Sequence, residues 1–257
     1  MSIRTAILNH VLTIEIARPE KKNALTIDMY AAIAAALRSA VTDAGVRAVL
    51  ITGQPGIFTS GNDVEDFMQR PPKGEDGAPF QFMKALSTCD KPVVAAVTGA
   101  AIGVGTTMLL HCDLVYVADD ARLAMPFTSL GLVPEFASSL LLPQLIGRVK
   151  AAEKLLLGDP FTGPEAVELG IANAVLPASE VVNHARRMAE RFNGLPPEAV
   201  RESKKLLRRA GAQGVHDVQE AIAAEAVVFG QRLASPEARE AFSAFLQKRK
   251  PDFSQFS

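Results

Sequence analysis

Two glycine-rich turns in the sequence can present backbone N–H groups to a negatively charged oxygen. The first contains Gly61-Asn62 and the second Gly103-Val104, and each comes after an apolar segment that ends in Thr-Gly. Glycine permits backbone conformations that leave the next amide pointing outward. Two amides aimed at one oxygen form an oxyanion hole, where losing one donor costs about 2.7–4 kcal/mol of transition-state stabilisation. The alternative is that these glycines mark only tight turns and close packing.

One carboxylate stands apart from the other acidic residues of the chain. Glu135 lies in GLVPEFASSLLL at 131–142, among apolar residues and ahead of a predicted apolar helix. A carboxylate in apolar surroundings has a raised pKa and is a better general base. The alternative is an acid in a surface loop or at a helix entry before Ser138. Asp63 and Asp113 are expected to cap helices or to pair with cations.

Other kinds of site find little support in the sequence. Gly99, Gly103 and Gly105 do not form a dinucleotide fingerprint, because Met108 stands where the third glycine of G-x-G-x-x-G should be. The four histidines are scattered and include no i,i+4 pair, so the sequence predicts neither a metal site nor a separate cofactor. The hydroxyls at 59–60 lack the G-x-S-x-G elbow of a serine nucleophile.

The composition is that of a well-cored globular protein. The 257 residues are 48% hydrophobic and 21% charged, with a formal net charge of −1. Such a balance gives no global attraction to nucleic acid or to an anionic membrane. Two cysteines do not make a disulfide framework, and no apolar stretch approaches the length of a membrane span. No targeting segment is recognisable at either end, so we expect a reducing, cytoplasmic setting.

Alternating strands and helices must position these residues. The apolar run Val93–Val97 predicts a strand buried on both faces, followed by a buried helix over Thr106–His111. The same order of strand, Thr-Gly, loop and helix occurs at 46–63. Two such units side by side would bring both glycine turns to one end of a sheet.

The remaining elements are predicted from periodicity and capping residues. Up to about residue 125 the sequence predicts these elements: strands over 4–8, 11–16, 46–52, 113–118 and 122–125, and helices from Thr26 to about Asp43, from near Asp63, and over 80–88. A polar segment at 70–79 is predicted to be a mobile loop. From 140 onward, helices are predicted over 140–146, 149–157, 164–169, 179–192, 197–209, 217–233 and 236–248, the last capped by Ser235. We therefore predict an α/β core over 1–195 and a helical subdomain over 196–257, integrated into a single domain.

These residues resemble the crotonase (enoyl-CoA hydratase/isomerase) superfamily over nearly the whole chain. The resemblance is carried by the following motifs: Ala24-Leu25 after RPEKKN, FTSGNDV at 58–64, KPVVAAVTGAAIGVG at 91–105, CDLVYVADDARLAMP at 112–126, GLVPEFASS at 131–139, Thr162-Gly163 with Ala166 and Gly170, and AFLQKRKPDF at 244–253. It implies a spiral of ββα turns with a C-terminal helical trimerisation region. It also implies a homotrimer or a dimer of trimers.

The resemblance implies an acyl-CoA thioester as substrate, with its carbonyl on the amides of Asn62 and Val104. Coenzyme A is then part of the substrate and not a cofactor. The residues implied to contact the substrate are Lys22, Ala24, Ser60, Gly61, Asp63, Val64, Gly103, Gly105, Phe127, Phe245 and Lys248. Of these, Lys22 and Ala24 are expected near the nucleotide, and the last two near a neighbouring subunit's substrate. For any lysine of the basic tail, the alternative is a solvated helix end.

Members of the superfamily differ in the acid that faces the oxyanion hole. Hydratases carry two glutamates, and the matching positions here are Thr107 and Phe127. Peroxisomal-type Δ3,Δ2-enoyl-CoA isomerases carry one glutamate in a Gly-Leu-x-x-Glu-x-x-Ser-Ser loop, on which Glu135 falls. The resemblance thus implies a Δ3-cis/trans to Δ2-trans enoyl-CoA isomerase of fatty acid β-oxidation. The alternatives are an atypical hydratase or lyase acting on another acyl-CoA, and a non-catalytic acyl-CoA-binding protein.

Overall fold

Two sheets form the frame of the computed structural model, which describes residues 2–71, 74, 76–210 and 215–256. The strands are β1 (Ile3–Leu8), β2 (Val11–Ile16), β3 (Ala48–Thr52), β4 (Ile57–Thr59), β5 (Val93–Val97), β6 (Ala100–Ile102), β7 (Leu114–Ala118), β8 (Arg122–Ala124), β9 (Phe161–Thr162) and β10 (Ala174–Leu176). The larger sheet has the order β1-β2-β3-β5-β7-β10, and the smaller one β4-β6-β8-β9. This architecture confirms the predicted α/β fold.

The centre of the larger sheet is parallel and entirely buried. Strand β5 pairs in parallel with β3 on one side and with β7 on the other. Every residue of β3 and β5 is buried, as expected for strands with apolar residues on both faces. The prediction for Val93–Val97 is confirmed, and the two strand-Thr-Gly units do lie side by side.

Helices pack around both sheets. They are α1 (Ile27–Thr42), α2 (Val64–Gln69), α3 (Ala78–Ser87), α4 (Val104–Thr107), α5 (Ser138–Ile146), α6 (Arg148–Ala152), α7 (Gly163–Glu168), α8 (Val181–Glu190), α9 (Pro197–Ala210), α10 (Val215–Leu233) and α11 (Pro236–Leu246). The predicted N-caps are confirmed, since the Thr26 hydroxyl accepts from Met29 N at 3.3 Å and the Ser235 hydroxyl from Ala238 N at 3.1 Å. The buried Tyr30 and Leu37 are among the residues that face the core from α1.

The smaller sheet contains strands that the sequence pattern does not reveal. The segment 53–62, predicted as a loop, contains β4, and β6 follows directly after Gly99. Each has only three residues, which is too short for a periodic pattern, and their stability comes from parallel pairing with each other. The predicted helix over Thr106–His111 was also wrong in its bounds. It begins at Val104 and tightens into a 3₁₀ helix over Met108–His111.

Only helices were predicted from residue 140 onward, but the structure also contains two strands there. Strand β9 pairs with β8, and β10 pairs in parallel with β7, so both extend sheets formed by earlier parts of the chain. Such short strands are stabilised by distant partners and carry little local signal. The last helix was predicted to reach Lys248 but ends at Leu246, and Lys248 has a left-handed backbone with φ of 55°.

Side chains of the C-terminal helices contact the core. On α9, Lys204 Nζ lies 2.5 Å from Asp113 Oδ2 and 2.6 Å from the carbonyl oxygen of Lys91. The division at residue 195 and the trimeric assembly stay predictions. Positions 72, 73 and 75 of the predicted mobile loop lie outside the described residues. Within the described ranges, no helix is long and apolar enough to cross a membrane.

Candidate active site

The two glycine turns lie side by side because the strands before them are parallel neighbours. Strand β4 pairs with β6, and parallel strands end at the same edge of a sheet. Gly61 has φ of +91°, and a Cβ built on it would lie 2.9 Å from the carbonyl oxygen of Ile102. The first turn therefore packs directly against the backbone just ahead of the second turn, as the repeated unit predicts.

The turn at Asn62 is fixed by backbone hydrogen bonds to the segment before α1. Leu25 N donates to Gly61 O at 2.8 Å, and Asp63 N donates to Leu25 O at 2.9 Å. The backbone amide between these two bonds, Asn62 N, donates no hydrogen bond to any described residue. Its N–H is thus available to an oxygen atom outside the protein.

The second turn presents Val104 in an equivalent way. Gly103 has φ of 56° and ψ of −118°, a conformation that favours glycine, and its amide donates to Ala124 O at 2.8 Å. Val104 is the first residue of α4, where a backbone amide has no partner within the helix. Across the described chain, no hydrogen bond from Val104 N is found. The helix N-terminus favours negative charge at this position.

Glu135 is hydrogen-bonded to Thr107, which lies one helical turn after Val104. Its carboxylate Oε1 accepts a hydrogen bond of 2.6 Å from Thr107 Oγ1, and Thr107 is the fourth residue of α4. Glu135 is 5% exposed, so the alternative of an acid in a surface loop is wrong. Burial raises the pKa of Glu135 to about 8, the Thr107 hydroxyl acts against the rise, and the charge of Glu225 adds to it.

The segment that follows Glu135 has an unusual backbone. Phe136 and Ala137 both have positive φ angles, 59° and 56°. His111 Nε2 lies 2.8 Å from the carbonyl oxygen of Phe136, and the two rings stack with centroids 3.9 Å apart. Burial lowers the pKa of His111 to about 4, so the imidazole is neutral at physiological pH. Through these contacts His111 packs against the segment that follows Glu135.

A tyrosine that sequence reasoning missed connects the two halves of the site. Tyr30 Oη donates to the side-chain oxygen of Asn62, and its ring packs on Phe82 at 5.4 Å between centroids. Phe82 in turn makes an edge contact with Phe136 at 5.5 Å. Burial, with the charge of Glu135, raises the pKa of Tyr30 well above its usual value. The partner of its hydroxyl could not be predicted from the sequence, because Asn62 lies 32 residues away.

The residues expected near the nucleotide lie beside the first turn. Ser60 N donates to Lys22 O at 3.1 Å, and Lys22 is exposed with φ of 51°. The Ala24 carbonyl oxygen accepts from Arg18 Nη1 at 2.9 Å. Between Lys22 and Ala24, the buried Asn23 side chain donates to two backbone oxygens around β4 at 3.1 Å each. Asn23 was missed because its partners lie more than thirty residues away.

Other predicted contacts have structural partners in the protein. Asp63 caps α2 by accepting from Asp66 N at 3.0 Å and pairs with Arg18 at 2.7 Å. Burial acts to raise the pKa of Asp63, but these hydrogen bonds and the charge of Arg18 outweigh it, so the pKa lies below its usual value. Val64 is partly buried, and Gly105 packs against Thr59. Asp113 pairs with Lys204, as the expectation of a capping or pairing role requires.

Phe127 lies against the second turn. It is 5% exposed, and its Cε1 would be 3.9 Å from a Cβ built on Gly103. An aromatic ring at this position can line a substrate site but cannot move a proton. Phe245 and Lys248 lie elsewhere on the surface, where Phe245 is 61% exposed and neither residue is hydrogen-bonded to the two turns. A role for them at a neighbouring subunit stays a prediction.

An open cavity lies next to the predicted mobile loop. Its volume is about 540 Å³, and its described lining consists of Ile27, Gln69, Arg70, Pro71, Asp76, Gly77 and Ala78.

Among the described residues, no group of three or more potential ligands could hold a metal ion. The groups that the two turns and the 135–139 loop supply are two backbone amides and one buried carboxyl group.

Fold and site together show an α/β protein with two backbone amides that have no partner among the described residues and with a buried carboxyl group hydrogen-bonded to the helix that follows one of them. Residues 6–256 match the family model described as enoyl-CoA hydratase/isomerase. The chain belongs to this family, the crotonase superfamily, whose members process acyl-CoA thioesters.

Similar proteins include both of the activities in the family description. A probable enoyl-CoA hydratase from Bacillus subtilis (strain 168) is 32% identical over 90% of each chain. Enoyl-CoA delta isomerase 2 from Rattus norvegicus is 36% identical over 91% of this chain, which spans 60% of the length of the rat protein. The solved structure of Pseudomonas aeruginosa OdaA has a TM-score of 0.92 and 50% identity, covering 95% of this chain and 98% of that one.

Proposed function

We propose that the protein converts Δ3-cis or Δ3-trans enoyl-CoA into the Δ2-trans isomer, with Glu135 as the single acid/base. The observation that carries the proposal is the hydrogen bond between Glu135 and Thr107, one turn from the Val104 amide. It favours a buried carboxyl group within reach of a thioester held by the two turns. The similarity to the rat isomerase supports the same reaction.

The reaction needs one proton to leave C2 and one to arrive at C4. The thioester carbonyl accepts hydrogen bonds from Asn62 N and Val104 N. The Glu135 carboxylate then removes a proton from C2. The electron pair delocalises into the adjacent thioester carbonyl, which places negative charge on its oxygen, and conjugation with the C3–C4 double bond extends this dienolate to C4. The two amides stabilise this negative charge. The protonated Glu135 returns its proton to C4, which leaves the double bond conjugated with the carbonyl and the carboxylate regenerated.

The environment of Glu135 suits this double role. An acid/base that both takes and returns a proton works best with a pKa near the working pH. Burial raises the pKa of Glu135 to about 8, and the Thr107 hydroxyl limits the rise. Because the ionised form must start the reaction, kcat/KM is expected to increase with pH through this value and then to level off.

Hydration is the second candidate function, and similarity to the probable Bacillus hydratase favours it. A hydratase of the two-glutamate type has an acid at each of the positions of Thr107 and Phe127, and neither residue transfers protons. Hydration here would need Glu135 alone to activate water and to protonate the α-carbon. We therefore rank isomerisation ahead of hydration or a lyase reaction on another acyl-CoA.

Two assays on the wild-type protein separate these functions. The first follows conversion of 3-enoyl-CoA to 2-enoyl-CoA by the absorbance of the conjugated thioester. The second follows loss of that absorbance when 2-enoyl-CoA is hydrated. Isomerisation that exceeds hydration over a range of acyl chain lengths supports the proposal, and the opposite ratio supports the hydratase. Tight acyl-CoA binding without turnover in either assay would indicate a non-catalytic binding protein.

A further inference from the structure

The loop that carries Glu135 has a backbone conformation that its own residues disfavour. Phe136 and Ala137 are consecutive left-handed residues, and neither is glycine. Both side chains are fully buried. Such a conformation persists only where the surrounding structure holds it in place. The contacts that hold this loop therefore determine where the Glu135 carboxylate lies.

A buried glutamate from a distant helix supplies these contacts. Glu225 lies on α10 and is 9% exposed. Its Oε2 accepts from Ala137 N at 2.6 Å, while its Oε1 accepts from Ser139 N at 3.0 Å and from the Ser139 hydroxyl. Ala137 is the residue at the N-cap of α5 and has no side-chain acceptor. Glu225 thus accepts hydrogen bonds from backbone amides at the N-terminus of α5, which have no acceptor within that helix.

The other polar groups around the Glu135 loop are neutral. His111 contacts Phe136 and is uncharged at physiological pH, and the hydroxyl of Tyr30 keeps its proton. Thr107 donates its hydrogen bond from α4. The positive charge of Arg208 contributes to the lowered pKa of His111. In the described part of the chain, Glu225 is the group whose charge acts on Glu135 itself, and it raises the pKa of that carboxyl.

We propose that Glu225 is a positioning residue for Glu135. Glu225 fixes the 135–139 loop so that the Glu135 carboxylate faces the Val104 turn. The proposal rests on the proposed function for the role of Glu135. It extends the active site to the helical region over 196–257, which would otherwise serve only packing and assembly. In this account Glu225 acts on Glu135 in two ways, through the loop that it holds and through its negative charge.

The test is Glu225→Gln, with Glu168→Gln as a loss of the same charge at an exposed position on α7. A glutamine side chain places an amide donor against backbone donors, so the loop loses at least one of its hydrogen bonds. A misplaced base costs on the order of 10²-fold in rate, so kcat is expected to fall roughly tenfold to a hundredfold with KM nearly unchanged. The midpoint of kcat/KM against pH should also move to lower pH, because a negative charge near Glu135 is removed.

A purely structural role for Glu225 would lower the melting temperature without moving that midpoint. Unchanged kcat and an unchanged midpoint in a folded Glu225→Gln protein would overturn the proposal. If that variant does not fold, Ser139→Ala removes only the hydroxyl donor to Glu225. It should give a smaller drop in kcat with unchanged KM, and an unaltered kcat would count against the proposal.

A separate readout distinguishes this proposal from the proposed function. The Glu135 carboxyl carbon can be titrated by ¹³C NMR in the wild type and in Glu225→Gln, with Glu135→Gln used to assign the signal. A lower midpoint in Glu225→Gln supports the coupling even if 3-enoyl-CoA is not a substrate. An equal midpoint in the two proteins contradicts it, whatever reaction the wild type catalyses.

Discussion

The two halves of the candidate site are built in different ways. The Asn62 and Val104 amides are presented by backbone geometry, at the ends of two parallel strands and after glycines with positive φ. Glu135 is held by side chains from two distant elements, Thr107 on α4 and, through its loop, Glu225 on α10. The half proposed to stabilise charge is thus set by main chain and glycine, whereas the half proposed to move the proton depends on polar side chains.

This difference predicts how each half responds to substitution. The amide pair should be insensitive to most side-chain changes and sensitive to any change that moves its backbone. The base should respond to the loss of single hydroxyl or carboxyl groups, with changes in the pH dependence of the reaction. Three substitutions test these expectations, in order of decreasing effect.

Gly61→Ala should have the largest effect of the three. An added Cβ would lie 2.9 Å from the Ile102 carbonyl oxygen, and alanine is strained at φ of +91°. The backbone must shift, and the Asn62 amide moves with it. Loss of one oxyanion donor costs about 2.7–4 kcal/mol, so kcat on 3-enoyl-CoA should fall about 10²–10³-fold.

Gly56→Ala is the matched control for backbone strain. Gly56 also has a positive φ, +79°, but an added Cβ there meets nothing within 4 Å. This variant should lose some thermal stability and keep its kcat. If Gly61→Ala and Gly56→Ala have the same kcat, the Asn62 amide does not stabilise the transition state.

Thr107→Val should have an intermediate effect, confined to the base. It removes the hydrogen bond that lowers the pKa of Glu135, so that pKa rises further above about 8. A hydrogen bond to a charged group contributes about 1.5–3 kcal/mol, so the midpoint of kcat/KM should move up by about one to two pH units. Activity at pH 7 then falls roughly tenfold to a hundredfold and recovers in part at high pH. Thr107→Ser retains a hydroxyl and should restore the wild-type profile; a profile for Thr107→Val that matches the wild type would contradict this role.

Tyr30→Phe should have the smallest effect. The ring packing on Phe82 remains, but the side-chain oxygen of Asn62 loses its donor. An unmade hydrogen bond costs about 1 kcal/mol, or roughly fivefold in kcat if the turn loosens. Tyr116→Phe is the control, because Tyr116 lies on β7 and contacts His184. Equal kcat values for the two variants would show that Tyr30 does not order the turn.

Much of the fold and the outline of the site could be predicted from the sequence. The buried run Val93–Val97, the caps at Thr26 and Ser235, and the repeated strand-Thr-Gly unit each depend on residues close together in the chain. The apolar sequence neighbours of Glu135 favoured a buried carboxylate over one in a surface loop, and the structure confirms its burial. In each case, local pattern and tertiary structure agree.

What the sequence could not predict depends on contacts between distant residues. Strands β9 and β10 are short and become strands only beside β8 and β7. Thr107 lies 28 residues from its partner Glu135, and Tyr30 lies 32 residues from its partner Asn62. Glu225 lies 88 residues from its partner Ala137. No spacing rule predicts contacts between residues so far apart in the sequence. The left-handed backbone at 136–137 gave no signal, since neither residue is glycine or asparagine.

The most direct test of the account is the turnover of 3-enoyl-CoA by Glu135→Gln, measured together with acyl-CoA binding on the same preparation. Glutamine preserves the size of the side chain and can still accept a hydrogen bond from Thr107, but it cannot take the C2 proton. General acid–base catalysis contributes about 10²–10⁴-fold, so isomerisation should fall by at least that range while the dissociation constant for acyl-CoA stays within about twofold. Turnover at the wild-type rate would contradict the assignment of Glu135 as the acid/base.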